Sequence, residues 1–188
     1  MRTQKGFSLV ELLIVVGVIL IIAAIAIPNL LRARMAANDS GAASTIRTLN
    51  TAQVSYTTEY PTLGFSVSLE ALGPGPPPGV DCTQAVNVTS TSACLIDGTV
   101  GCSARGPCPK SGYAYHLAPV PAVAGTTVVP NYAVSAAPLG WYTTGTKNWC
   151  STGDTMIRFA GIPQGVRASI AFAVSAVACE RAPFVPAQ

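Results

Sequence analysis

One acid inside a long apolar stretch, six cysteines beyond it and a single histidine are the side chains in this chain that could do chemistry. Glu11 lies in FSLVELLIVVGVILIIAAIAIPNLL, Phe7 to Leu31, and Leu12 to Ile27 is a run of sixteen residues without a polar side chain. An ionised carboxylate in such a run costs about 2.5–3.5 kcal/mol on insertion scales, so it marks a function and calls for a cationic partner. Cys82, Cys94, Cys102, Cys108, Cys150 and Cys179 all follow the apolar stretch. An even number confined to that part implies disulfides formed in an oxidising compartment, with fifteen pairings open. Pairing between nearest cysteines suggests Cys102 with Cys108, Cys82 with Cys94, and Cys150 with Cys179.

Other chemistries find little support. There is no C-x-x-C pair and His116 is the only histidine, so zinc is not expected. His116 sits in the alternating run YAYHL, the setting of a strand histidine rather than a general base. Asp81, Asp97 and Asp154 are isolated and lack the dense oxygen-ligand spacing of a calcium loop. No nucleophile elbow, phosphate loop or HExxH helix is present. The expectation is a non-enzyme with no metal and no cofactor.

Composition agrees with a partner role for the apolar stretch. The chain has 188 residues, 49% hydrophobic and 10% charged, with a mean hydropathy of +0.44, too greasy for an ordinary soluble domain of this length. Net charge is +3, and two of the positives, Arg2 and Lys5, lie in the short leader MRTQKG, so no basic nucleic-acid surface is indicated. Seventeen Gly and fifteen Pro favour turns and short strands over a helical bundle.

The elements that must position these residues follow from periodicity. At ~1.5 Å per residue, Leu12–Ile27 spans ~24 Å and Phe7–Leu31 ~37 Å, enough for a hydrocarbon core of ~30 Å. A secretory signal would have a shorter apolar core followed by a small-residue cleavage site, whereas here the apolar run begins directly after Gly6. Pro28 removes a backbone hydrogen bond and clashes with the preceding turn, which predicts a kink or local melting around Ala24 to Pro28. The pattern then resumes: Ala42, Ile46, Leu49, Gln53, Tyr56 and Tyr60 recur every three or four residues. One helix from Phe7 to about Glu59, ~80 Å long and stopped by Pro61, is predicted, with Asp39, Ser40 and Gly41 as a weak point. Gly73–Gly79, GPGPPPG, reads as a stiff loop, and Val80–Cys108 has no assignable element. Strands are predicted at Tyr113–Leu117, Tyr132–Ala136, Thr155–Ala160 and Ala168–Val174. The fold class is α+β: a long N-terminal helix, half membrane span and half amphipathic, packed on a small antiparallel β-sheet in a disulfide-stapled head.

At Lys5–Val16 the chain, KGFSLVELLIVV, resembles the prepilin signal of the type IV pilin superfamily, with its basic leader ending in Gly6, aromatic Phe7, acid Glu11, apolar run and internal Pro28. The resemblance implies that a prepilin peptidase cuts between Gly6 and Phe7 on the cytoplasmic side and methylates the new Phe7 amine. The helix is retained, anchoring the subunit in the inner membrane before becoming the core of a filament. There Glu11 finds its cation, since a carboxylate among packed apolar helices must be paired and the nearby candidate is the Phe7 amine of a neighbouring subunit.

The implied organisation is a cleaved leader at 1–6, a transmembrane and filament-core helix at 7–31, and a head at 32–188. Within the head, 32–60 completes the helix, 61–112 is a loop, and 113–188 holds the sheet and a C-terminal disulfide loop closed by Cys150 and Cys179, as in many pilins. Arg2 and Lys5 before the span are nearly balanced by Arg32 and Arg34 after it, so orientation rests on the leader, with the head in the periplasm. The implied function is a structural type IV pilus subunit serving adhesion, twitching motility or DNA uptake; the alternative is a pseudopilin of a type II secretion system. The implied partners are identical or related pilin subunits, the prepilin peptidase, the assembly machinery and, before assembly, the inner membrane, with no specific nucleic acid. After assembly the subunit would lie in an extracellular pilus.

Overall fold

The computed structural model describes residues 8–75, 79–102, 108–122, 124–161 and 175–187. Helix α1 runs from Leu9 to Glu59, 51 residues, or ~76 Å. Ser8 precedes it in extended conformation, and the Tyr60 N–H closes it on the Tyr56 carbonyl just before Pro61. The helix continues through Pro28, so the local melting expected at Ala24–Pro28 does not occur. A single proline removes one bond from the ladder, and the Ile, Leu and Ala residues on either side hold the rest. The weak point expected at Asp39–Gly41 is also helical, and Asp39 is buried there.

The buried stripe of α1 contains Ala42, Ile46, Leu49, Gln53 and Tyr56, the 3–4 spacing of an amphipathic face. It covers a six-stranded sheet in the order β1 to β6. The strands are Cys108–Lys110, Tyr113–Pro119, Tyr132–Pro138, Lys147–Thr152, Arg158–Gly161 and Val185–Pro186. Every neighbouring pair is antiparallel. Register aligns Tyr115 with Ala136, Ala136 with Trp149, and Trp149 with Phe159. That row faces the helix and, with Tyr113, Leu117, Tyr132 and Val134, forms the core with the α1 stripe. Alternation sends Ala114, Ala118, Ala133 and Cys150 to the other face, where they are buried too. His116 is a half-buried member of β2 aligned with Ser135, and burial lowers its pKa.

The predicted strand at Thr155–Ala160 begins only at Arg158. Thr155 has positive φ and its N–H bonds the Thr152 carbonyl, while Asp154 accepts from the Met156 N–H, so these residues form the turn between β4 and β5. The predicted strand at Ala168–Val174 lies outside the described residues. Region 61–112, expected as loop, carries α2 (Leu69–Leu72), a 3-10 turn at Ala85–Asn87, and β1. Ser68 caps α2 by accepting from the Ala71 N–H at 3.1 Å. A last short helix, α3 (Ala176–Cys179), lies against β4 and β3.

Three disulfides join Cys82 to Cys94, Cys102 to Cys108 and Cys150 to Cys179. The first two fasten the long segment between α2 and β2, where hydrophobic burial is sparse, and the third ties α3 to β4.

Candidate assembly surface

Three polar clasps decide how α1 sits. Asp39 accepts from the Tyr113 hydroxyl, from the Thr146 N–H at 3.1 Å and from the Thr146 hydroxyl at 2.8 Å. About three helical turns further on, Asn50 donates to Ser151 Oγ at 2.8 Å and accepts from the Tyr132 hydroxyl at 3.0 Å. Gln53 is fully buried and exchanges bonds with the Ser66 backbone at 2.8 and 3.3 Å. Buried amides and carboxylates are costly unless satisfied, so these clasps admit one rotation and one axial position of helix on sheet. Burial raises the pKa of Tyr113, and the bond to Asp39 and its charge raise it further. Burial also raises Tyr132, with the Asp154 charge adding to it.

The clasps begin at Asp39, next to Asn38, which donates to the Thr144 carbonyl at 2.8 Å; the helix before them is bare. From Ser8 to Arg34 every residue is exposed apart from the half-exposed Gly17 and Ala23. Ile14 is 63% exposed, Ile25 67% and Leu30 69%. The most apolar 18-residue window of α1 has a mean hydropathy of 3.2, and none of it is buried. An apolar surface of that extent belongs against lipid or another chain.

Glu11 lies in the first turn of α1 and is exposed. The unpaired N–H groups of that turn favour an acidic side chain at this position. Gly6 and Phe7 lie outside the described residues. Pro28 is exposed within the same projecting half. All six cysteines are in the head, far along the chain from Glu11. Among the described residues no group of three or more His, Cys, Asp or Glu could hold a metal ion. Asp81 bonds Thr83 and Gln84. Asp97 is bonded by Lys110 and Thr99, and although burial opposes the shift, these bonds bring its pKa down to about 2. Asp154 is held low chiefly by Arg158.

A family model described as the prokaryotic N-terminal methylation motif matches residues 1–27. Beyond that motif, the chain is 36% identical over 102 residues to the type IV wide pilus major component PilA4 of Thermus thermophilus, covering 54% of this chain and 78% of that one. The chain belongs to the type IV pilin family. It is also 45% identical over 56 residues to the type IV major pilin protein PilA of Myxococcus xanthus, covering 30% of this pilin and 26% of that one. No solved structure matches it.

Sequence reasoning about this pilin missed Asp39, Asn50, Tyr113 and Thr146 as the residues that set the helix on its sheet. A signal was present. Asp39 precedes Ala42 and Ile46 by three and seven residues, so it falls on the buried stripe, where an acid must have donors.

Proposed function

We propose that this pilin is a structural subunit of a type IV pilus, anchored in the inner membrane by residues 7–31 and then polymerised through them into a surface filament. The observation that carries this reading is the projecting half of α1: continuous with the head's helix, apolar from Leu12 to Ile27 and unburied. One helix thus has two hosts in turn, the bilayer before assembly and neighbouring helices afterwards. The names of both relatives as pilins favour a pilus over a secretion pseudopilus.

In this reading residues 1–6 are the leader removed by the prepilin peptidase, Phe7 gains a methyl on its amine, and 32–188 form the head. Glu11 pairs with the Phe7 amine of a neighbour. A one-turn slip, about 5.4 Å, would leave both charges unpaired among apolar side chains, so the pair selects register more than it adds stability. The leader side is cytoplasmic and the head periplasmic. Adhesion, twitching motility or DNA uptake would be properties of the finished fibre.

The test is to shear surface fibres from cells producing the chain and determine the subunit's intact mass and N-terminal sequence. Fibres built of a subunit starting at a methylated Phe7 support the reading. A subunit that starts at Met1 or beyond Ile27, or that never leaves the membrane, overturns it.

A further inference from the structure

The half of α1 that packs on the sheet, from Asn38 to Glu59, has one exposed cation, Arg47, and one exposed acid, Glu59; the exposed Arg32 and Arg34 precede it. Neither has an opposite charge three or four residues away on the helix, and neither is in an ion pair among the described residues. Glu59 is also placed against local preference. It sits in the last turn, where the carbonyl ends of the helix repel an anion, and no basic residue accompanies it. A charge that breaks a local rule without a partner in its own chain points to a partner elsewhere.

Arg47 borders a groove of about 340 Å³ lined by Arg47, Asn50, Thr51, Val54 and Thr155, between the outward face of α1 and the β4–β5 turn. The other polar groups on the helix side of this groove are already engaged. Asn50 bonds Ser151, the Thr155 carbonyl and Tyr132, and the Thr51 hydroxyl bonds the Arg47 carbonyl at 3.1 Å. The guanidinium therefore gives the groove its charge, and a carboxylate on a flexible stem is what complements it. The other acids of the head are better provided for. Asp97 and Asp154 are paired, Asp81 is bonded within its turn, Glu180 accepts from Thr152 at 3.1 Å, and Glu70 is in the first turn of α2, where an acid is favoured.

We infer that Arg47 of one copy receives Glu59 of a second copy of this chain, so that the two charges form a ladder along the filament. The inference rests on the pilus reading and names the contact that sets its lateral register. Both residues are on one rigid helix, twelve positions apart, so they lie about 18 Å apart along its axis and about 120° apart around it. A two-fold contact would pair the two charges reciprocally on antiparallel helices, whereas the helices of the pilus reading run parallel. The charges suit a heterologous contact, the kind that propagates into a helical array. Partner copies are accordingly displaced by about 18 Å along parallel helices.

The experiment uses the full chain in piliated cells with R47E, E59R and the double swap R47E/E59R, and in parallel R47C/E59C filaments treated with a short bismaleimide. Each variant is first checked for wild-type accumulation in the membrane. Each single reversal is expected to lower the yield of sheared filament about tenfold, and the swap to return it to within about twofold of wild type. The cross-linker is expected to give a ladder of covalent multimers from R47C/E59C filaments and none from either single cysteine variant; within one copy the two positions are too far apart to bridge. If wild-type filaments form but single reversals assemble normally, or the swap is no better than the singles, the Arg47–Glu59 contact is wrong and the pilus reading stands. If the wild type makes no filaments, both fail.

Discussion

The Tyr113 hydroxyl on β2 donates a hydrogen bond to the buried Asp39 carboxylate on α1, joining residues 74 apart in the chain. It lies where the helix passes from bare apolar surface to packed core. With Thr146 supplying two more donors, the carboxylate is satisfied without a cation, and the helix is pinned at the base of the head. The apolar half that precedes it, Ser8 to Arg34, is exposed rather than packed on the sheet.

Removing this clasp is expected to loosen the head. In Asp39→Ala the two Thr146 donors lose their acceptor and the Tyr113 hydroxyl keeps only the Lys147 carbonyl at 3.0 Å, at a cost of roughly 2–4 kcal/mol. For a chain of this size that lowers Tm by about 5–10 °C. Tyr113→Phe leaves Thr146 on the carboxylate and is expected to cost less, roughly 1–2 kcal/mol. Thermal unfolding of the detergent-solubilised subunit by near-ultraviolet circular dichroism measures both. Equal stability of Asp39→Ala and wild type would remove the clasp from the account.

Alkali should act through the same part of the molecule. Burial raises the pKa of Tyr113, Tyr115 and Tyr132 above the ordinary value. Their folded-state pKa values exceed the unfolded one near 10, so their contribution is fully present below about pH 10 and is lost as pH rises through the folded values. Stability is therefore expected to fall only above about pH 10. Tyrosinate absorbance should show an early fraction from exposed rings and a late fraction that appears together with loss of tertiary signal. Smooth titration of all tyrosines near the ordinary value, with the fold intact, would contradict the burial of these three rings.

How much of this was legible depended on which side chains carried the burial. The helix could be read because Ala42, Ile46, Leu49, Gln53 and Tyr56 keep an even spacing, and β2 and β3 could be read because Tyr, Val and Leu alternate with small residues. Strand β4, KNWCST, could not. It is buried on both faces, with Ser151 satisfied by Asn50 on one side and Cys150 bonded to Cys179 on the other, so polarity no longer marks exposure. Asp39 was misjudged for the same reason: its donors come from β2 and from the turn before β4, more than 70 residues away, and helix propensity does not register them. The N-terminal motif was legible because a charge in an apolar run has few alternative explanations, and the family model matches residues 1–27.

The disulfides should leave no reactive thiol, since none of the six cysteines is free. Alkylation of the unreduced, denatured chain is expected to add no label, and recovery of two labelled cysteines would break the framework. Among the three, Cys150–Cys179 closes the longest loop, a separation of 29 residues. The chain-entropy estimate for such a loop is roughly 3–4 kcal/mol, so the Cys150→Ala/Cys179→Ala pair should lower Tm by about 10 °C. Loss of the loop is expected to reduce the amount of folded subunit before it affects assembly itself.

Glu11 is expected to matter for assembly and not for folding. It is 28 positions before the first clasp at Asp39, in the stretch Ser8 to Arg34 that is nowhere buried, so Glu11→Val or Glu11→Gln leaves every buried contact of the core in place. In the proposed membrane-anchored state the carboxylate, in the first turn of α1, would lie near the membrane surface. The variant should therefore insert and be processed at least as well as wild type. In a filament the situation reverses. The neighbour's Phe7 amine would be buried without a counter-charge, an imbalance on the order of 3–5 kcal/mol per contact if water is excluded. Repeated at every subunit, that suppresses elongation, and the variant should accumulate in the inner membrane with few fibres on shearing. Wild-type subunits supplied in the same cells should rescue it only in part, because each variant copy still leaves one amine unpaired. Abundant fibres from the Glu11→Val strain alone would show that the pairing is dispensable and that register is set elsewhere along α1.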